Sequence, residues 1–286
     1  MDLGQPPSYM IINAIQGGLI AKPGEYTFSV VLRRSNEYYC SGSIISKKNV
    51  VTAASCVIKF DKSNFQYLPM QVIIGTSNYK KQHDLSSFVA DVEKFYIPMH
   101  FFHKDESVKR IGDIAVLKLH QELDLRSSNR ALSKLFLSEM RSYVGEPAYL
   151  TGFGWDRVGR RFDVTTHRII REGESSGKLK AAKTKVLEIQ ECEAVSNDEI
   201  NSFKLMCARI KQRSESVPEG ACTGDIGGPL VHNGDTLIGI LVSYAGQCNE
   251  KTKPQLYTKV AAYNDFIQKA AMDMSSPDIY SAKLPI

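Results

Sequence analysis

Three short stretches carry residue types that acyl-transfer chemistry uses. Cys222-Thr223-Gly224-Asp225-Ile226-Gly227-Gly228-Pro229-Leu230 is a glycine-rich turn running into an apolar strand. Glycines in this pattern permit positive φ and close backbone approach, so amide N–H groups point into one concavity. Such a nest stabilises an oxyanion when a nucleophile stands beside it. The residue at the apex, Ile226, has no nucleophilic atom. The second stretch, Val50-Val51-Thr52-Ala53-Ala54-Ser55-Cys56, follows Cys40-Ser41-Gly42-Ser43 and offers the hydroxyl of Ser55. The third, Gly112-Asp113-Ile114-Ala115-Val116-Leu117, sets the carboxylate of Asp113 ahead of an apolar run.

The elements that must position these residues are short and β-rich. Residues 26–32, 43–45, 49–52, 71–74, 114–119, 148–151, 237–243 and 255–260 are rich in Val, Ile, Thr, Tyr and Phe and are bounded by turn residues. They read as strands. Helical spacing is sparse until Val260, Tyr263, Phe266, Ile267 and Ala270, which predict one C-terminal amphipathic helix. Many short strands with a terminal helix give an all-β class, a barrel or sandwich. No internal repeat is visible, and the segment from Asp273, with Pro277 and Pro285, reads as an irregular tail.

Composition sets outer limits. With 286 residues, 43% hydrophobic and 23% charged, the chain can bury a sizeable core and is neither disordered nor low-complexity. No apolar run approaches the roughly 18 residues of a membrane helix, so no membrane span is expected. Thirty-six Lys and Arg against 31 Asp and Glu give +5, too little without a basic patch to point to nucleic acid. The excess is local. Residues 155–185 hold nine Lys and Arg against four acids, which equals the charge of the whole chain. This segment reads as a solvated, flexible insertion, or as the face for an anionic partner.

The six cysteines are Cys40, Cys56, Cys192, Cys207, Cys222 and Cys248. There is no CxxC and no Cys/His cluster at zinc spacing, so metal is not expected. An even count of this kind favours three bridges in an oxidising compartment. The opening Met1-Asp2-Leu3-Gly4-Gln5-Pro6-Pro7 is acidic, holds two prolines and lacks an apolar core, so it does not read as a signal peptide. Secretion is therefore an expectation from sulfur chemistry alone.

Taken together, these motifs resemble the chymotrypsin/trypsin family of serine proteases over residues 15–271. Ile15-Gln16-Gly17-Gly18 resembles the mature amino terminus, and TAASC the segment that carries the catalytic His. GDIAVLKL resembles the segment with the catalytic Asp, CTGDIGGPL the nucleophile loop, and KPQLYTKV with YNDFI the closing strand and helix. The resemblance implies two antiparallel Greek-key β-barrels, at 15–123 and 134–260, joined through 124–133. A helix at 260–271 follows, a propeptide-like segment 1–14 precedes them, and a tail spans 272–286. It also implies the bridges Cys40–Cys56, Cys192–Cys207 and Cys222–Cys248.

The departures from the family pattern decide the functional expectation. Family catalysis needs a hydroxyl nucleophile, an imidazole base and an orienting carboxylate. Asp113 matches the carboxylate, whereas Ser55 stands at the imidazole position and Ile226 at the nucleophile position. A hydroxyl titrating far above neutrality is no general base. Losing the nucleophile or the base costs on the order of 10⁶ in turnover. His100 and His103, or Thr223 and Ser243, do not rebuild the site, because catalysis needs sub-ångström alignment; they read as loop and cleft-wall residues. Gly224 is the remnant of the oxyanion hole.

The resemblance extends to the specificity pocket and to activation. Gly220 lies at the pocket base where trypsins carry Asp, which removes selection for Lys or Arg. Ser243 is a further pocket position, Tyr244 sits where a Trp usually floors the substrate platform, and Ala245 and Gln255 stand at two wall positions usually glycine, with Gln255 expected to project into the pocket. Family activation frees the amine of Ile15 to pair with Asp225, yet Ala14 precedes Ile15 and no Lys or Arg occurs before Lys22. The chain is expected to persist uncleaved, with Asp225 neutralised by some other partner or the loop left zymogen-like. The family's calcium loop lacks acidic ligands here, and no cofactor is expected. The resulting expectation is a secreted, inactive homologue that binds proteins as a cascade cofactor, decoy or immune modulator. The alternative is residual or altered endopeptidase activity.

Overall fold

The computed structural model describes residues 10–11, 15, 18–34, 37–61, 64–67, 69–81, 87–102, 111–125, 132–155, 157–163, 168–196, 200–213, 219–244, 248 and 253–284. Twelve of its strands form two closed rings. The first ring contains β1 (Ser29–Arg34), β2 (Glu37–Ile44), β3 (Asn49–Thr52), β4 (Gln71–Ile74), β5 (Phe88–Pro98) and β6 (Ala115–Leu119). The second contains β7 (Pro147–Gly152), β8 (Lys180–Leu187), β9 (Leu205–Ile210), β10 (Pro229–His232), β11 (Thr236–Tyr244) and β12 (Gln255–Lys259).

Around the first ring the order is β3-β2-β1-β4-β5-β6, closed by β6 on β3. Around the second it is β9-β8-β7-β10-β11-β12, closed by β12 on β9. Both rings therefore run third, second, first, fourth, fifth, sixth, with every barrel pairing antiparallel. Closure gives every ring strand a partner on both sides over at least part of its length. The repeat that the sequence does not show exists in the topology.

Short runs of β-branched residues suffice for these strands because each barrel encloses its own apolar interior. Val30, Leu32, Ile44, Val51, Ile74, Phe95 and Val116 fill the first barrel. Leu150, Val186, Ala208, Leu230, Leu241 and Tyr257 fill the second. A buried hydroxyl pair, Ser29 Oγ to Thr151 Oγ1 at 2.8 Å, lies in the seam between them. The disulfides are Cys40–Cys56, Cys192–Cys207 and Cys222–Cys248, as the resemblance implies. Helix α1 (Ile189–Ser196) follows β8, and a 3-10 turn at Val260–Tyr263 leads into α2 (Asn264–Ala271). Among the described residues no helix is long and apolar enough to cross a membrane.

Two expectations are corrected. The segment expected to be a flexible insertion folds as a hairpin of Arg157–Asp163 against Arg168–Glu174, with Met10–Ile11 added at its edge. Cross-strand pairing at seven positions holds it as a ribbon. The tail expected to be irregular instead supplies a strand, Ile279–Lys283, that pairs with β5. Its Tyr280 ring packs 5.1 Å from Phe102 and 5.5 Å from Phe65 between ring centroids. The run Ile-Tyr-Ser-Ala-Lys holds only two strand-favouring residues, and the flanking prolines mask it further.

Asp273 anchors the start of this tail. Its Oδ2 accepts from Lys118 Nζ at 2.7 Å, and its Oδ1 from Lys94 Nζ at 2.7 Å and Tyr96 OH at 2.5 Å. These donors, Lys118 first, hold the carboxyl well below the usual range for Asp. Asp273→Asn is expected to lower the unfolding free energy by about 1 kcal/mol at neutral pH, a figure kept small because the group is partly solvated. A depressed folded pKa places this stabilisation above the unfolded Asp value near about 3.9 and removes it as pH falls further. Urea unfolding of the two proteins should therefore differ at neutral pH and converge in strong acid.

Candidate functional site in the seam between the barrels

Ser55 sits in a 3-10 turn, Ala54–Cys56, immediately after β3, and the Cys40–Cys56 bridge fixes that turn to β2. Asp113 precedes β6 and is buried. The two residues meet. Ser55 donates its amide to Asp113 Oδ1 at 2.8 Å and its hydroxyl to Asp113 Oδ2 at 2.9 Å. Thr258 of β12 donates its hydroxyl to the Asp113 carbonyl at 2.8 Å, so the second barrel also holds this segment. Ser55 itself remains exposed.

The loop at 222–228 enters from the second barrel. Ile226 offers its carbonyl to the Ser41 amide at 2.9 Å, and the same oxygen lies 3.6 Å from the sulfur of Cys56. Ile226 is partly buried against the cores of both barrels. The structure therefore brings Ser55, Asp113 and Ile226 to one end of the seam. Gly224 takes φ of 94°, where glycine is favoured, and a Cβ there would lie 2.3 Å from the Tyr38 ring. The Tyr38 hydroxyl donates to the Gly224 carbonyl, as does Ser41 Oγ at 3.1 Å. Burial first, then the charge of Asp225, pushes the Tyr38 phenol well above its ordinary value.

Asp225 is fully buried beneath this loop. Its Oδ1 accepts from the Gly154 amide at 2.8 Å and its Oδ2 from the Cys222 amide at 2.9 Å. A Cβ at Gly152 or Gly154 would come within 2.2 or 2.6 Å of that carboxyl, so the Gly-Phe-Gly stretch exists to admit it. Ile15 is also fully buried, packed in the second barrel's core.

His100 stacks on Tyr263, with ring centroids 5.7 Å apart, and lies close over Gly112. The Tyr263 hydroxyl accepts from the Gly112 amide at 2.9 Å, and burial pushes its phenol up to about 12. His100 thus supports the loop that carries Asp113. His103 lies outside the described residues.

Of the residues expected at a specificity pocket, Gly220 is buried beside the Cys248 carbonyl. Gln255 is only 4% exposed, and its Nε2 donates to the Lys253 carbonyl at 3.1 Å. Its Oε1 has no partner among the described groups, and neither does the hydroxyl of Tyr257 two residues on. Ser243 pairs with Leu256 across β11 and β12. Ala245, the side chain of Tyr244 and the side chains of residues 156–172 lie outside the described residues. Trp155, half-buried, covers Gly173 of the hairpin and donates its amide to the Thr223 carbonyl at 2.8 Å.

Sequence reasoning missed Tyr38, Gly152, Gly154 and Tyr263. The glycines were legible only as turn residues, because the carboxylate they admit lies about seventy positions away. Asp225→Ala is expected to leave two buried N–H donors without an acceptor, each costing about 1–3 kcal/mol. Denaturant unfolding of this variant should show that loss, whereas a change of less than 1 kcal/mol would show that the carboxylate does not hold the loop.

Residues 15–267 match the sequence profile of the family described as Trypsin. Snake venom serine protease catroxase-2 of Crotalus atrox is 29% identical over 257 residues, covering 89% of this chain and 86% of that protein. Coagulation factor IX of Cavia porcellus is 26% identical over 258 residues, covering 87% of this chain and 79% of that protein. The solved structure of neuropsin, a serine protease expressed in the limbic system of mouse brain, aligns with a TM-score of 0.66. It covers 89% of this chain and 98% of its own at 20% identity, a likeness of fold.

Proposed function

The chain belongs to the trypsin family of serine proteases, and on that premise we propose that it is a secreted, proteolytically inactive member that acts by binding. The observation that carries this reading is the bond from Ser55 Oγ to Asp113 Oδ2. In a working triad that oxygen orients an imidazole, which takes a proton from a hydroxyl nucleophile. Here the carboxylate is engaged by a hydroxyl that does not act as a base at neutral pH. Where the resemblance expects the nucleophile stands Ile226, which has no reactive atom. The exposure of Ser55 and the fit of the surrounding loops favour substitution within an intact fold over its collapse.

The buried side chain of Gln255 supports a specificity pocket narrowed from within, which further disfavours peptide turnover. Ile15, preceded by Ala14, is already buried without a basic cleavage site at that junction. The reading is thus of a chain that persists uncleaved. Its partners are proteins of proteolytic cascades, a proposal supported by a relative named as a coagulation factor. The local excess of basic residues at 155–185 suits an anionic face on such a partner.

Two experiments test the proposal. A serine-reactive fluorophosphonate probe should leave the protein unlabelled, and a broad peptide library should stay uncut; covalent labelling would instead establish the alternative, a residual hydrolase. The double variant S55H/I226S should gain phosphonate labelling while each single variant stays silent, because base and nucleophile act as a unit. Labelling of either single variant would mean that another group already supplies the missing role.

A further inference from the structure

On the second barrel, away from the Ser55–Asp113 pair, lies a cavity of about 480 Å³ between the 138–144 segment, the start of α1 and the turn before β9. Its volume falls in the range of small-molecule sites, about 300–1,000 Å³. Met140, Val144, Ile189, Phe203 and Met206 supply an apolar wall. Three of these stand open to solvent, with Phe203 61%, Met140 54% and Val144 39% exposed. Large apolar side chains gathered around a concavity mark a binding surface more than a scatter of surface residues would.

The polar groups on the wall define what fits. Lys259, at the end of β12, is half-buried, and its ammonium donates to the Ser202 carbonyl at 2.6 Å without a carboxylate partner among the described residues. Burial pushes this ammonium below its ordinary value, and an anion beside it would offset that by favouring the charged form. Arg141, the other wall cation, is already engaged. It bonds Glu146 at 2.6 and 3.2 Å and lies 3.8 Å over the Tyr143 ring. Ser138 is 1% exposed, and its hydroxyl has no partner among the described groups. Glu188, exposed on the same wall, disfavours a polyanion such as a sulfated chain. A single negative head on Lys259, with an apolar body along Phe203 and Met140, fits this wall.

We propose that this cavity binds a free single-chain carboxylate, a medium-chain fatty acid anion, with its head on Lys259 and its tail along Phe203, Met140 and Met206. The protein should be titrated calorimetrically with decanoate below its micellar range, and with decanol and decyltrimethylammonium as neutral and cationic counterparts. Methyl NMR of the methionines supplies the location. Decanoate should bind saturably and shift the Met140 and Met206 methyl signals. Decanol should bind about tenfold or more weakly, as expected for loss of a charge-assisted hydrogen bond. Lys259→Met should lose a similar factor, Lys259→Arg should retain binding, and Val144→Trp, at an exposed position, should block it. Equal affinity for decanol, undiminished binding by Lys259→Met, or methyl shifts confined to other methionines would each overturn the proposal, as would the absence of saturable binding.

Discussion

The buried carboxylate of Asp225 is the constraint on which the seam depends. A charge with no solvent access is tolerable only where hydrogen-bond donors surround it, and this one meets donors from Gly154, after β7, and Cys222, on its own loop. That requirement fixes the loop at 222–228 against the second barrel. Once the loop is fixed, the carbonyls of Gly224 and Ile226 are aimed at Tyr38 and Ser41 of β2, and the two barrels are joined by polar contacts as well as apolar ones. Even the glycine at 227 follows from this arrangement, since a Cβ there would lie 2.1 Å from Thr52 Oγ1.

The same ring order in both barrels explains why the candidate site lies where it does. Ser55 follows the third strand of the first ring, Asp113 precedes its sixth, and the 222–228 loop precedes the fourth strand of the second ring. Neighbouring ring positions bring β3 and β6 side by side, with Thr52 opposite Ala115. Ser55 and Asp113 are therefore delivered to each other by strand register, whatever side chains they carry. Register conserves proximity and side chains supply chemistry. The hydroxyl–carboxylate bond between Ser55 and Asp113 is one product of that register.

Much of this was legible in the residues. The strand-rich class and the C-terminal helix were carried by signals local in sequence, and the pairing of the three disulfides by the family resemblance. What stayed hidden shares one physical origin. Strands such as Phe88–Pro98 and Lys180–Leu187 mix charged and apolar residues because one face meets solvent, which weakens any window of β propensity. Helix α1, with Gln, Glu and Ser along much of its eight residues, lacks an apolar stripe strong enough to announce itself. The contacts of Tyr38 with Gly224 and of Gly154 with Asp225 join positions far apart in the chain, and no local pattern encodes them.

The tail strand shows how an added segment becomes part of a fold that does not need it for closure. The first ring is complete without Ile279–Lys283, because β5 already pairs with β4 and β6. One stretch of β5, residues 94–98, nevertheless extends past β4 and has backbone groups to offer, and the tail takes them. Doing so seats Tyr280 among Phe65, Phe95 and Phe102, covering aromatic surface that the barrel would otherwise expose. Lys94, Tyr96 and Lys118 then meet the carboxylate of Asp273 where the chain turns back toward the barrel. Edge pairing, aromatic burial and a localised charge cluster act on the same short segment, and their agreement gives five unremarkable residues a defined place.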